Sequence, residues 1–549
     1  MASLASKLGF LAVLLSLVAT GIGERSDPEA YVTLLYGDEF LLGVRVLGKS
    51  IRDTGSEKDM VALVSDGVSD FAKDLLQADG WKVELISLLA NPNQVRPKRF
   101  WGVYTKLKIF NMTRYKKVVY LDADTIVVKS IEDLFQCGRF CANLKHSERL
   151  NSGVMVVEPS ATLFEDMMRQ VNSLPSYTGG DQGFLNSYYA DFPNAHLFVP
   201  NLSAEIRNSR PQPEMERLST LYNADVGLYM LANKWMVDER ELRVIHYTLG
   251  PLKPWDWWTA WLVKPVDVWQ NVRQKLEESL PGTGGGRNPN DQLLVNILFA
   301  LPICALLFCF YRNHLQTNSD LFCTFSRSSL CDYARRIYYE FKSSSGSPSY
   351  SGVGVASSST FNSNQQFVIG TTTRLPVYLG AVSIFFCFIA AILSLALAFM
   401  IVPRQVMPWI GLMLMYEWTF TTFFIVFGYY LQLVYQWGRT RSQAGGPDSR
   451  NDSSDYESGK GHQHRTFGYD IVTLSYGTGM ALLAVIAPSL PCILGVTALF
   501  AKLGLMVAGG IVLASFMSYA SEHLAIRSFV RGHEDRDLPR TRIISSLVC

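Results

Sequence analysis

Residues 375–402, LPVYLGAVSIFFCFIAAILSLALAFMIV, hold no charged side chain over 28 positions. A helix needs about 20 apolar residues to cross the hydrocarbon of a bilayer. In lipid, every backbone N–H and C=O must be satisfied internally, which leaves an α-helix as the conformation open to such a run. Residues 291–311 and 409–435 make the same demand, as does the apolar stretch from Asp470 to about Tyr519, interrupted by Pro488, Pro491 and Lys502. Proline removes a helical hydrogen bond, so this last stretch reads as two helices divided near the prolines. Residues 291–549 are therefore expected to form an all-α membrane domain. Its five crossings fall at about 292–311, 375–402, 409–435, 470–488 and 492–519.

The N-terminus carries Lys7, the apolar run LGFLAVLLSLVAT and small residues at Ala19, Gly21 and Gly23. This is the pattern of a signal peptide over residues 1–23, and an uncleaved anchor would look similar. Either would deliver residues 24–290 across the membrane. Positive charges then mark the loops that stay behind. Residues 312–374 contain Arg312, Arg335, Arg336 and Lys342; residues 436–469 contain Arg439, Arg441 and Lys460; the tail after 520 contains Arg527, Arg531 and Arg540. The short loop 403–408 has only Arg404. Two independent signals give one topology, with residues 24–290 lumenal.

A net charge of +2 with 18% charged residues excludes the concentrated basic surface of a nucleic-acid binder. Cys137 and Cys141 are the two cysteines of residues 24–290, and they suit a disulfide or two free thiols. The serine-rich segment 343–363 reads as a disordered linker. Sequons stand at Asn111 and Asn201; Asn111 is expected to be enclosed, being so close to the strand that follows it.

Within residues 24–290, strand patterns alternate with helical ones. AYVTLLYGDEF (30–40) opens as a strand and ends in turn residues, and MVALVSDGVS (60–69), KVELISLL (82–89) and VVYLDADTIVV (118–128) read as strands. LLGVRVLGKSIRDTG, the region around FAKDLLQADG, and YTKLKIFNMTRY (104–115) read as helices. Alternation of this kind predicts an α/β domain with a mostly parallel sheet, whose ligands bind beyond the carboxyl ends of the strands. Asp122 and Asp124 interrupt the most apolar strand. Residues i and i+2 of a strand point to one side, and two carboxylates held together repel unless a cation joins them. Hard oxygen ligands suit Mg²⁺ or Mn²⁺, which in turn can hold a diphosphate.

At this point the sequence resembles glycosyltransferase family 8, the glycogenin-like enzymes, and within it the plant starch-initiation branch. The matching blocks are AYVTLLYGDEFLLGVRVLGKS, YTKLKIF, YLDADTIVV followed by IEDLF, LNSGVMVVEPS (150–160), GGDQGFLN (179–186) and VIHYTLGPLKPW (244–255), in family order. The resemblance implies a nucleotide-sugar-binding domain of GT-A type. It implies that Mn²⁺ is held by Asp122, Asp124 and His246, with Ala123 between them at the donor. Leu34, Tyr36 and Phe40 would line the uridine pocket. Gly250 and Lys253 would meet the diphosphate, Lys106 the donor phosphate or sugar, and Asn151 and Ser152 the sugar. Asp181 and Gln182, with Lys106, would act at the reacting face. The donor implied is UDP-glucuronate and the acceptor inositol phosphorylceramide, with retention of configuration, in sphingolipid synthesis at the Golgi membrane. Arg99 is the basic residue expected to meet the glucuronate carboxylate.

Three features depart from the family pattern. Tyr247, Thr248 and Leu249 separate His246 from Gly250, one residue more than usual. Thr178 stands where glycogenins often carry an acid, and no tyrosine is identifiable as a self-glucosylation acceptor.

Five crossings exceed what anchorage needs and favour a lipid acceptor. PWDWWTAWLVKPVDVW (254–269) holds five tryptophans, suited to the membrane interface or to a domain core. Glu417 and Lys502 lie within predicted crossings, where charges are costly and mark function, either paired or on a lipid headgroup. The rival readings are a transferase acting on a polysaccharide or on itself, and a non-catalytic membrane scaffold or transporter.

Overall fold

A computed structural model describes residues 28–93, 102–145, 148–200, 202, 205, 209, 211–248, 250, 252–280, 291–315, 376–443 and 471–534. Residues 1–23, Arg99, Asn201 and the segment 343–363 lie outside the described residues. Two compact units emerge. One comprises the described residues of Met1–Ile297 with Val402–Leu414 and Pro491–Leu505; the other holds Leu298–Ile401, Met415–Leu490 and Met506–Cys549.

In the first unit, strands β1 (Glu29–Leu35), β2 (Asp59–Val64), β3 (Lys82–Leu85) and β4 (Lys117–Leu121) alternate with helices α1 (Leu41–Asp53) and α2 (Asp70–Ala78). All pairings among these strands are parallel. β6 (Phe140–Leu144), β7 (Leu150–Val157), β8 (His196–Leu197) and β9 (Met215–Leu218) complete an eight-stranded sheet ordered β3-β2-β1-β4-β7-β6-β9-β8. β7 runs antiparallel to both its neighbours. The expected α/β sheet is thus mixed, and mostly parallel.

Strand alternation decides the two faces. Tyr31, Leu35, Val119 and Leu121 point into one core, against Leu41, Val44 and Leu47 of α1 and Ala72 and Leu76 of α2. Ala30, Val32, Val118 and Tyr120 point into the other, against Leu107 and Phe110, Met167 of α3 (Ala161–Gln170) and Phe184 and Leu185 of α4 (Asp181–Tyr188). Because both faces are covered, the strands read as nearly continuous apolar runs.

Four local expectations need correction. The stretch 104–115, read as helical, is a run of 3₁₀ turns over Val103–Asn111 that ends before residue 115. The third strand ends at Leu85, short of Leu89. VVYLDADTIVV is not one strand: it breaks after Leu121, turns through Asp122–Asp124, and resumes as β5 (Thr125–Val127) in a second, three-stranded sheet with β10 (Ala224–Asp225) and β11 (Val244–His246). Asn111 is exposed rather than enclosed. Cys137 and Cys141 are disulfide-bonded.

The tryptophan-rich stretch follows β11, after α5 (Val226–Ala232), and leads through α6 (Thr259–Leu262) into α7 (Val266–Ser279). Trp255, Trp257 and Trp269 are buried, so packing rather than the membrane interface accounts for most of its apolar character. The unit's own segment 402–414 lies against it. Arg404 Nη2 donates to Asp256 Oδ2 at 2.8 Å, Trp257 N donates to Arg404 O at 3.0 Å, and the fully buried Arg273 donates to the carbonyls of Gln405 and Val406. Lys502 donates to the carbonyls of Trp261 and Leu262 at 3.3 and 3.4 Å. It is therefore held by backbone carbonyls.

Among the described residues, five helices are long and apolar enough to cross a membrane: α8 (Asp291–Leu315), α9 (Leu379–Ile401), α10 (Pro408–Gln443), α11 (Ile471–Ile493) and α12 (Leu499–Glu534). α11 continues through Pro488 and Pro491, so the break falls later than the prolines suggested, at Gly495 with its positive φ of 65°. In the second unit Cys387 and Ala390 of α9, Phe423, Phe427 and Tyr430 of α10, and Met517 and Leu524 of α12 share one core.

Candidate active site

The turn at Asp122–Asp124 lies where the chain leaves the carboxyl end of central strand β4 and changes sheets. Thr125 N donates to Asp122 O at 3.0 Å, closing the turn. The two carboxylates converge because of this turn, not because they alternate along a strand. Gly43 of α1 makes room for it: a Cβ there would stand 2.5 Å from Ala123 O and 2.6 Å from the Trp255 ring.

Strand register brings in the distant partners. β11 pairs antiparallel with β5, placing His246 opposite Thr125, and Tyr247 N donates to Asp124 O at 2.9 Å. His246 Nε2 thereby stands 3.3 Å from Asp124 Oδ1 and 4.0 Å from Asp122 Oδ2. On the other side β7 pairs with β4, and Asp122 N donates to Gly153 O at 2.9 Å, which sets Asn151 and Ser152 beside the turn. A Cβ at Gly153 would overlap the His246 imidazole.

One ligand atom from each of Asp122, Asp124 and His246 lies within 4.8 Å of the others. Two hard carboxylates and an imidazole fit Mn²⁺ or Mg²⁺. His246 Nδ1 is hydrogen-bonded to Asn223 Oδ1 at 2.9 Å, the kind of outer contact that orients a metal-ligating ring. Asn223 in turn donates to Asn151 Oδ1 at 2.8 Å.

Cations flank the pair. Lys253 Nζ sits 2.6 Å from Asp124 Oδ2. Burial alone would raise the Asp124 pKa, but Lys253 and His246 outweigh it and hold the carboxyl well below its usual range. Lys106 Nζ lies 2.9 Å from Asp122 Oδ1 and 3.2 Å from Asp181 Oδ2. A unit pair about 4 Å apart attracts by roughly 4 kcal/mol at an effective dielectric of about 20. Two such attractions overcome desolvation, so this buried ammonium is held above the usual lysine range despite burial.

Asp181 and Gln182 open helix α4. Ser152 Oγ donates to Asp181 Oδ2 at 2.7 Å, and Asn151 Nδ2 to Gln182 Oε1 at 3.0 Å. Thr178, the residue standing in place of the family's acid, accepts from Gly180 N and Gly183 N at 3.2 and 3.1 Å. Its hydroxyl therefore satisfies donors that a helix start leaves unpaired. A cavity of about 350 Å³ joins these groups, lined by Leu34, Tyr36, Phe40, Lys106, Asp122, Ala123, Asp124, Ser152, Thr178, Asp181, Gln182 and Lys253 among others.

Of the residues singled out in the sequence, these line the cavity, while His246 and Asn151 touch those that do. Gly250 is not among the lining residues, and its φ of 63° lies in the left-handed region that favours glycine. Sequence reasoning missed Asn223, Tyr120, whose hydroxyl donates to Asp122 Oδ1 at 2.8 Å, and Tyr177, which accepts from Gln182 Nε2 at 3.0 Å. Tyr120 was legible in principle, two residues before Asp122 in the same motif. Asn223 lies far from every motif and carried no signal.

Residues 32–139 match the family model described as Glycosyl transferase family 8. Inositol phosphorylceramide glucuronosyltransferase 1 of Arabidopsis thaliana is 64% identical over 535 residues, covering 96% of this chain and 97% of its own. UDP-glucuronate:xylan alpha-glucuronosyltransferase 1 of the same plant is 35% identical over 162 residues, 29% of this chain and 25% of its own.

Proposed function

Because the chain belongs to glycosyltransferase family 8, we propose that it transfers glucuronic acid from UDP-glucuronate to inositol phosphorylceramide, with retention, on the lumenal side of the Golgi membrane. The carrying observation is the union of a carboxylate–histidine cluster and two paired lysines on a chain that resembles a named inositol phosphorylceramide glucuronosyltransferase along nearly its whole length. Five apolar helices suit a lipid acceptor, and the arginine-bearing loops favour a lumenal α/β domain.

In this reading Asp122, Asp124 and His246 hold Mn²⁺, which when bound neutralises charge on the departing UDP. Leu34, Tyr36 and Phe40 offer the apolar wall for uridine. Lys253 exchanges its bond to Asp124 for the donor diphosphate. Lys106, kept charged by Asp122 and Asp181, presents a fixed positive charge to the leaving group. Asp181, oriented by Ser152, faces the anomeric carbon and stabilises the positive charge that develops there. Asn151 and Gln182 position the sugar.

The test is a transfer assay with detergent-solubilised full chain and Mn²⁺, offering UDP-glucuronate, UDP-glucose and UDP-galactose against inositol phosphorylceramide, with products weighed by mass spectrometry. A glucuronate-sized gain on the lipid, absent in Asp124→Ala, is expected. UDP release without a lipid product would redirect the acceptor to a glycan. No UDP release from any donor would sink the reading.

A further inference from the structure

Both lysines of the cavity are already committed to carboxylates, Lys106 to Asp122 and Asp181, Lys253 to Asp124. The donor and acceptor proposed above each bring a further negative group, the sugar carboxylate and the headgroup phosphodiester. Such groups are met by a preorganised cation at the reacting face.

Arg149 is linked through Tyr177 to Gln182, one of the residues that line the cavity. It is exposed, immediately before β7, and its backbone carbonyl accepts from Lys145 N at 2.9 Å to close the connection from β6. Its guanidinium carbon lies 3.9 Å from the centre of the Tyr177 ring. Tyr177 is 49% exposed, and its hydroxyl accepts from Gln182 Nε2, while Gln182 Oε1 accepts from Asn151. Arg149 and Asn151 are two residues apart in the chain, Asn151 being the second residue of β7. The circuit Arg149–Tyr177–Gln182–Asn151 therefore closes on itself and fixes the guanidinium relative to the residues at the reacting face. Stacking occupies the plane of the guanidinium and leaves its edge donors for a bidentate oxyanion. Among the described residues, Arg149 has no carboxylate within ion-pair distance.

We propose that Arg149, stacked on Tyr177, is a substrate-oxyanion seat at the mouth of the site and sets the preference for charged substrates. The proposal rests on the UDP-sugar transferase reading and adds a specificity residue outside the family motifs. A charge-assisted hydrogen bond of this kind corresponds to a change of about tenfold or more in affinity.

The experiment compares wild type, Arg149→Ala and Arg149→Lys as full-length protein in detergent, with UDP-glucuronate, UDP-glucose and inositol phosphorylceramide each varied. If the seat takes the donor carboxylate, Arg149→Ala raises KM for UDP-glucuronate about tenfold, leaves UDP-glucose unchanged, and Arg149→Lys recovers part of the loss. If it takes the phosphodiester, the acceptor KM rises instead while acceptor-free hydrolysis of UDP-glucuronate is unaffected. Changes below twofold in KM for both charged substrates, or an equal rise in the donor KM for UDP-glucose and UDP-glucuronate, would overturn the seat. If wild type releases UDP but labels no lipid, the acceptor reading fails separately. Inositol 1-phosphate then serves as an inhibitor of hydrolysis, and Arg149→Ala must weaken that inhibition or the donor KM for the seat to stand.

Discussion

Lys106 and Ser383 are both buried, yet they are stabilised in different ways. Lys106 is held by carboxylates 16 and 75 residues away, Asp122 and Asp181. Ser383 in α9 donates to Leu379 O one turn back and meets the Tyr430 hydroxyl at 2.7 Å. Ser475, Ser489 and Ser515 likewise donate to the carbonyls of Ile471, Val485 and Ile511. The α/β unit thus assembles charge from distant segments, whereas the helical unit returns most of its hydroxyls to the nearest backbone. In the candidate site long-range charge pairing gathers groups able to act on a ligand, and in the helical unit local pairing suits a lipid solvent.

The largest test of that contrast is Asp124→Ala. Losing a carboxylate of the metal cluster should lower UDP release by about 10³-fold or more; a loss under tenfold would remove the cluster from the chemistry. Chelation with EDTA should be nearly as severe and reversed by added Mn²⁺, and activity that persists after dialysis would contradict the metal reading. Lys106→Met should cost about 10²-fold in kcat, as the loss of one preorganised charge does, and retention of full kcat would reduce Lys106 to a structural ion pair. Asn223→Ala should weaken Mn²⁺ dependence by about tenfold through the His246 ring, read as a shift in the metal titration at unchanged melting temperature. Smallest of all, Ser383→Ala should cost about 1 kcal/mol or less in unfolding and leave transfer rates intact. A large loss there would mean that the helical unit shares in catalysis.

How much could be read beforehand follows the same division. The five helices were legible because apolar composition alone forces them, although α11 ran through two prolines to a positive-φ glycine. That Asp122, Asp124 and His246 come together was legible as motifs, but the stated reason, alternation along one strand, was wrong. Asp122 and Asp124 sit on a turn between sheets, and a turn without glycine or proline inside an apolar run leaves no local sign. Asn223 was invisible because its role arises only when β11 pairs with β5, a long-range register that no short window contains.

The segment 402–414 gives one more lesson, about biosynthesis. Asp256 is buried, and burial pushes its carboxyl pKa up while Arg404 opposes the shift. Arg404 leaves the ribosome nearly 150 residues after Asp256, and Lys502 later still. The catalytic half therefore cannot finish folding as it emerges. Until residues 404 and 502 have been made, the carboxylate of Asp256 and the carbonyls of Trp261 and Leu262 lack these partners, so an α/β domain cut at residue 290 would leave them uncovered.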